Sequence, residues 1–135
     1  MSAHQQIDIQ QLPTKDAHAM LLGMVAPRPI AFVSSIDKKG KPNLSPFSFF
    51  NIFSSNPPIL IFSPSRRVRD NTEKDTLRNV LSVGEVVINL VDESLLERMT
   101  LTSFEFPSTT NEFDAAGLTP VPSTHVQPPL VAEAK

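Results

Sequence analysis

Residues 30–53 read IAFVSSIDKKGKPNLSPFSFFNIF, two apolar runs separated by a charged pentapeptide. The first run, residues 30–36, gathers β-branched and aromatic side chains into a short stretch and reads as a strand. Asp37-Lys38-Lys39-Gly40-Lys41 is polar and carries its glycine late, as a hairpin loop requires. Residues 44–53 return as the partner strand. Pro46 implies a bulge or an edge position there, because proline has no N–H to give to a sheet ladder. The stretch is therefore an antiparallel hairpin, not a strand feeding a crossover helix.

The flanks fit around that hairpin. Upstream, residues 14–24 read as a helix capped by Thr14, with Ala17, Met20, Leu21 and Met24 at helical spacing and Pro27 and Pro29 ending it. Downstream, Asn56-Pro57-Pro58 is a turn, and the wholly apolar residues 59–62 read as a buried strand. The arginine-bearing residues 63–72 read as a loop. Residues 75–83 form a second helix broken at Gly84, and residues 85–91 form a further strand. Asp92 caps a third helix from Glu93 to about Leu101. Residues 103–128 are irregular, with one helical turn at 112–116 before Gly117. A strand–helix alternation with a G-x-G-x-x-G turn is absent, and so is a G-x-x-x-x-G-K-[ST] loop. The pattern predicts a single domain, mainly β with peripheral helices, built as a mostly antiparallel barrel.

Composition narrows the function. Twelve basic and fourteen acidic residues give a net charge of −2, which disfavours nucleic acid as a partner. Without cysteine the chain has no thiolate nucleophile, thiolate zinc site or iron–sulfur ligand of its own. No apolar run approaches the roughly 18 residues needed to cross a bilayer, and the polar start MSAHQQIDIQQLP lacks the layout of a secretion signal. No membrane partner is expected, and the cytoplasm is the expected location. The thirteen prolines punctuate short elements. The last residues, Pro128 to Lys135, suggest no closing strand or helix, so the domain is expected to be C-terminally incomplete.

Three features carry chemistry. His4, His18 and His125 are isolated, and no metal-binding spacing occurs. Ser34, Ser35, Asn43, Ser45, Ser48, Asn51, Ser54 and Ser55 surround Phe47, Phe49, Phe50 and Phe53. That mixture of hydroxyls, amides and phenyl rings suits a flat heteroaromatic ligand with polar edges; it equally suits a strand with one face in solvent and one in the core. Lys74-Asp75-Thr76 puts a cation and a hydroxyl at a helix start, where free N–H groups hold phosphate. Ordinary capping explains Asp75 and Thr76 as well, and Arg66, Arg67 and Arg69 on the preceding loop read equally as solvated surface.

Taken together, Val25-Ala26-Pro27-Arg28-Pro29-Ile30-Ala31-Phe32-Val33-Ser34-Ser35, Asn43-Leu44-Ser45-Pro46-Phe47-Ser48-Phe49-Phe50-Asn51, Ser55-Asn56-Pro57-Pro58-Ile59-Leu60 and Lys74-Asp75-Thr76-Leu77-Arg78-Asn79 resemble the flavin-reductase-like, FMN-binding split β-barrel family. Glu85 to Val91 and Asn111 to Pro120 match further blocks. The resemblance implies a split antiparallel barrel over residues 1–135 that lacks the family's C-terminal strands. It implies FMN as cofactor, held by Arg28, Ser34, Asn43, Leu44, Ser45, Pro46, Phe47, Ser48, Ser63, Lys74 and Thr76. Of these, Ser45 and Ser48, or backbone N–H groups nearby, hold the flavin edge, and Lys74 and Thr76, with Arg28 or a loop arginine, hold the phosphate. It also implies a homodimer.

The activity so implied is hydride transfer from NADH or NADPH to flavin, with a partner oxygenase as one possible consumer of the reduced flavin. No catalytic acid or base is required, because the cofactor carries the chemistry. The alternative is an FMN-holding electron-transfer or binding module without its own nicotinamide site. A barrel that has lost flavin and serves as a scaffold is a third reading.

Overall fold

The computed structural model describes residues 4–135. The hairpin forms as β1 (Ala31–Ile36) and β2 (Pro42–Phe47), paired antiparallel from Ala31↔Phe47 to Ile36↔Pro42. The turn is locked by one side chain: Asp37 Oδ1 accepts the backbone N–H groups of Lys39 (2.8 Å) and Lys41 (2.9 Å). Gly40 sits at φ 81°, where a Cβ is strained. Pro46 is accommodated opposite Phe32 inside β2, because β2 is an edge strand with one side outside the ladder.

The chain bends at Ser48–Phe49 and not at Pro46, so the single strand expected over residues 44–53 is two: β2 and β3 (Phe50–Ser55). β3 pairs antiparallel with β4 (Pro58–Phe62) in a separate two-stranded ribbon, with a bulge between Ile52 and Ser54. That ribbon corrects a second expectation. Residues 59–62 are not buried; Leu60 is 52% and Ile61 48% exposed. An apolar run supplies the cohesion of a strand, but burial needs a second layer, and only Phe50 and Phe62 of this ribbon reach the core beside it.

β1 is the centre of the molecule, with all six residues buried. Besides β2 it pairs antiparallel with β5 (Val87–Asn89), giving the order β2-β1-β5. Its alternating side chains feed two cores. Phe32 packs with Leu44, Leu95, Met99, Phe113, Leu118 and Val131, while Ala31 and Val33 pack with Phe47 against Phe50, Phe62 and Ile88.

α1 (Thr14–Met24) has the expected bounds, although Thr14 is its first residue and not its cap. α2 (Asp75–Val83) also matches, ended by Gly84 at φ 81° with its N–H on Val80 O. Asp92 caps a short 3-10 turn by accepting from Ser94 N; α3 (Leu96–Leu101) follows, then α4 (Glu112–Ala115).

The chain end is more ordered than expected. β6 (Pro120–Val121) pairs with β7 (Leu130–Val131). Asn89 fastens β7 to the sheet by donating to Phe32 O (3.1 Å) and accepting from Val131 N (2.9 Å). The molecule is thus mainly β with some helices, and its three sheets do not close into one barrel among the described residues. Among the described residues no helix is long and apolar enough to cross a membrane.

Candidate functional site

The buried face of α2 is polar, and this decides where the site lies. Thr76 and Asn79, three residues apart, both turn toward the sheet. Thr76 Oγ1 accepts from Asn43 Nδ2 (2.9 Å), and Asn79 Nδ2 donates to Ser35 Oγ (3.1 Å). The first of these bonds joins the start of α2 to β2. A cleft of about 100 Å³ opens beside it, lined by Asn43 and Ser45 of β2, Lys74 at the cap of α2, Asp75 and Thr76 of α2, Arg67 of the preceding loop and residues beyond α3. Asn43, Ser45, Lys74 and Thr76, separated in the sequence, therefore meet in one place.

The cleft sets two cations, Lys74 and Arg67, beside three carboxylates, Asp75, Glu105 and Glu112. Lys74 lies over the Phe47 ring, its Nζ 5.3 Å from the centroid. Burial pushes its pKa below the usual lysine value, and the neighbouring Arg67 pushes the same way. Arg67 is held by its contacts: Nη1 donates to Glu73 O (2.5 Å), Nη2 stands 3.7 Å from the Asp75 carboxylate and Nε 3.5 Å from Glu105. Lys74 makes no side-chain cap on α2, so the first backbone N–H groups of that helix also lack a side-chain acceptor there. A phosphate would relieve the repulsion between the two cations and meet those N–H groups. The donor set fits such a group.

Glu112, on the far wall, is the residue sequence reasoning missed. Burial raises its pKa, and the nearby Asp75 adds to the effect. One of its oxygens accepts the Leu44 N–H (3.4 Å). Asn111-Glu112 read only as a helix start, and nothing local signals that α4 packs against β2.

A second cleft, of about 480 Å³, is largely apolar. It is lined by Leu21, Val25 and Pro27 of the α1 end, by Arg28, and by Ser48, Phe49, Phe50, Phe53 and Ile61. Segment 43–51 thus runs from the Lys74 cleft at Asn43 and Ser45 to this apolar one at Ser48. Arg28 is placed here and not in the Lys74 cleft. Its Nη1 donates to Leu22 O and Val25 O (both 2.6 Å), closing the carbonyl end of α1, where a cation is favoured. Its Nε is buried with no hydrogen-bond partner, and Arg28 does not line the Lys74 cleft.

Five other expected ligand residues, Ser34, Leu44, Phe47, Pro46 and Ser63, take the following places. The Ser34 side chain is fully buried and its hydroxyl donates to Pro129 O, so it anchors the C-terminal segment and does not face either cleft. Leu44 is fully buried in the core, and Phe47 is 4% exposed, so neither offers its side chain directly beyond the Lys74 contact. Pro46 is half-buried within β2, and Ser63 joins the ribbon end by donating its N–H to Phe49 O (2.9 Å).

The family described as flavin reductase like domain matches over residues 24–135. A protein of Aquifex aeolicus (strain VF5) is 50% identical over 118 residues, covering 87% of this chain and 60% of that protein. Nitrilotriacetate monooxygenase component B from Bacillus cereus is 36% identical and superposes with a TM-score of 0.89 over 99% of this chain and 65% of its own. A Shewanella frigidimarina NCIMB 400 protein with a split barrel domain is 27% identical, with a TM-score of 0.77 over 94% of this chain and 61% of its own. The chain spans between 46% and 60% of the length of the curated relatives it matches.

Proposed function

The chain belongs to the flavin reductase like family, and from that premise we propose that it is an FMN-binding oxidoreductase that transfers hydride from NADH or NADPH to the flavin. The observation that carries the reading is the meeting of Lys74, Arg67, the buried Thr76 and the start of α2 in one cleft beside β2. These groups would hold the phosphate of FMN, and Ser45 and Ser48 would follow the ligand toward the apolar cleft, where Phe49 and Phe50 border a slot for its ring. FMN supplies N5 as the hydride acceptor when bound. The chain's part is to fix the phosphate, hold the ring flat beside segment 43–51 and keep water from its apolar side. No acid or base from the chain is assigned a proton transfer.

The protein works as a homodimer. The β3–β4 ribbon leaves Ile52 70%, Phe53 64% and Leu60 52% exposed, and exposed apolar patches of this kind mark interfaces. Similarity to a monooxygenase component B supports an oxygenase as the consumer of the reduced flavin. The NADH or NADPH that such a reaction consumes supports the cytoplasm as its location.

Mixing NADH or NADPH with the FMN-loaded, full-length protein under anaerobic conditions bleaches the yellow absorbance on this reading. If only dithionite or a partner protein bleaches it, the chain is an electron carrier. If the protein takes up no FMN, both readings fall.

A further inference from the structure

Arg67 is the most heavily engaged cation of the Lys74 cleft. Its Nη1 donates to Glu73 O and to Thr72 Oγ1 (3.3 Å), both within its own loop. Its other two nitrogens face acids: Nη2 stands 3.7 Å from Asp75 and Nε 3.5 Å from Glu105 Oε1. A phosphate drawn to Arg67 therefore competes with a carboxylate for the same guanidinium. Which acid gives way depends on what holds each of them.

Asp75 is the first residue of α2 and is paired with Arg78 as well, so a helix and a second cation hold it. Glu112 opens α4, and its carboxylate accepts the Leu44 N–H. Glu105 is held differently. It lies in residues 102–111, which join α3 to α4 without a helix or strand. That segment is fastened on either side of it: the buried Thr102 donates its hydroxyl to Met99 O (2.8 Å), and Lys41 Nζ donates to Ser108 O. Between those points the backbone N–H and carbonyl of Glu105 make no hydrogen bond among the described residues. Neither core cluster includes residues 103–107. Moving Glu105 breaks no backbone bond and unpacks no core.

The carboxylate also has a second partner to retreat to. Glu105 Oε2 lies 2.9 Å from Arg69 Nη1. It thus bridges an inner guanidinium, 18% exposed, and an outer one, 72% exposed, that does not line the cleft. Glu105 is itself 46% exposed, and ion pairs so open to water contribute little, so release from Arg67 is cheap. Glu105 favours the charge on Lys74 too, which burial and Arg67 oppose. Toward both cations it does what a bound phosphate would do.

We propose that Glu105 is an internal counterion of the phosphate cleft, one that leaves Arg67 for Arg69 when the FMN phosphate binds and returns when it departs. The inference rests on the placement of the phosphate in this cleft. Its effect is to loosen the hold on FMN, so Glu105 sets how readily the flavin is exchanged.

The test is a pair of double-mutant cycles on the full-length protein, with FMN and riboflavin titrated by flavin fluorescence at low salt, where charge effects are least screened. Glu105→Gln keeps the size of the side chain and removes its charge. It is expected to tighten FMN by roughly two- to fivefold and to leave riboflavin unchanged. Arg67→Met is expected to weaken FMN alone, and in that background Glu105→Gln should no longer tighten it. Arg69 is exposed, so its loss spares the fold. Arg69→Met leaves Glu105 with Arg67 only and should weaken FMN, and adding Glu105→Gln should abolish that weakening. FMN affinity in Glu105→Gln no higher than the parent's overturns the proposal. So does a gain of equal size with and without Arg67, which would mean simple repulsion between carboxylate and phosphate, or a weakening by Arg69→Met that persists in the double variant. If Arg67→Met binds FMN as the parent does, the phosphate lies elsewhere, and the placement on which the proposal rests fails with it.

Discussion

Replacing Lys74 by methionine separates the phosphate assignment from general damage to the fold. Methionine keeps an unbranched stem over Phe47 and removes only the ammonium. In the free protein that ammonium is disfavoured by burial and by Arg67, so its loss removes an electrostatic penalty. Against this, the contact with the Phe47 ring at 5.3 Å is lost, a cation–π interaction of about 0.5–1 kcal/mol. The two changes oppose each other, and unfolding free energy is expected to stay within about 1 kcal/mol of the parent. FMN, however, loses a charge-assisted hydrogen bond of about 1.5–3 kcal/mol, which weakens its Kd by roughly 10- to 150-fold. Riboflavin has no phosphate and binds parent and variant alike.

The same lysine sets a pH dependence. Its pKa in the free folded protein is lowered from 10.5, so its charge costs stability below that lowered value, and the cost disappears as pH rises through it. A bound phosphate restores the charge, so FMN binding takes up a proton in that alkaline window. FMN affinity therefore falls as pH climbs through the lowered pKa, and riboflavin affinity does not. Flavin fluorescence titrations, with urea unfolding run in parallel, measure all of this. Equal losses for both flavins would place the damage in the ring slot or the fold. Undiminished FMN binding would place the phosphate elsewhere.

Thr76→Val keeps the shape of a side chain that is 1% exposed but leaves Asn43 Nδ2 without its acceptor; urea denaturation should show a loss of about 1–3 kcal/mol, and no loss would mean that Asn43 is not tied to α2. Glu112→Gln removes a carboxylate whose pKa is raised by burial. A raised folded pKa means that the ionised form costs stability above 4.5, so the variant should melt higher than the parent near pH 7, with the difference shrinking as pH falls toward 4; a lower melting temperature at pH 7 would contradict this. Ile52→Lys with Leu60→Lys puts charge on the exposed ribbon and should convert the dimer to a monomer by light scattering, whereas an unchanged mass would move the interface off β3–β4.

The sequence by itself determined what depends on near neighbours. The bounds of α2 are set by its own residue pattern and by Gly84, which leaves the helix in the left-handed conformation. The β1–β2 hairpin follows from two apolar runs and a turn whose Asp37 binds backbone two and four residues on. The ordered motifs from Val25 to Asn79 also made the family legible. Contact and exposure between remote segments were decided only in three dimensions. Ser34 looked like a ligand residue until a carbonyl 95 residues away took its hydroxyl. Arg28 looked like a phosphate ligand, yet the α1 carbonyls beside it hold its guanidinium. Residues 59–62 looked like core, but whether a strand is buried depends on what packs across it, and β4 lies in a two-stranded ribbon. Glu112 had no local signature at all, because its burial and its place opposite Lys74 arise from α4 packing on β2. Local dihedral preferences and capping act over a few residues, whereas desolvation and Coulomb interaction depend on distance in space, and chain order sets that distance only after the fold has closed.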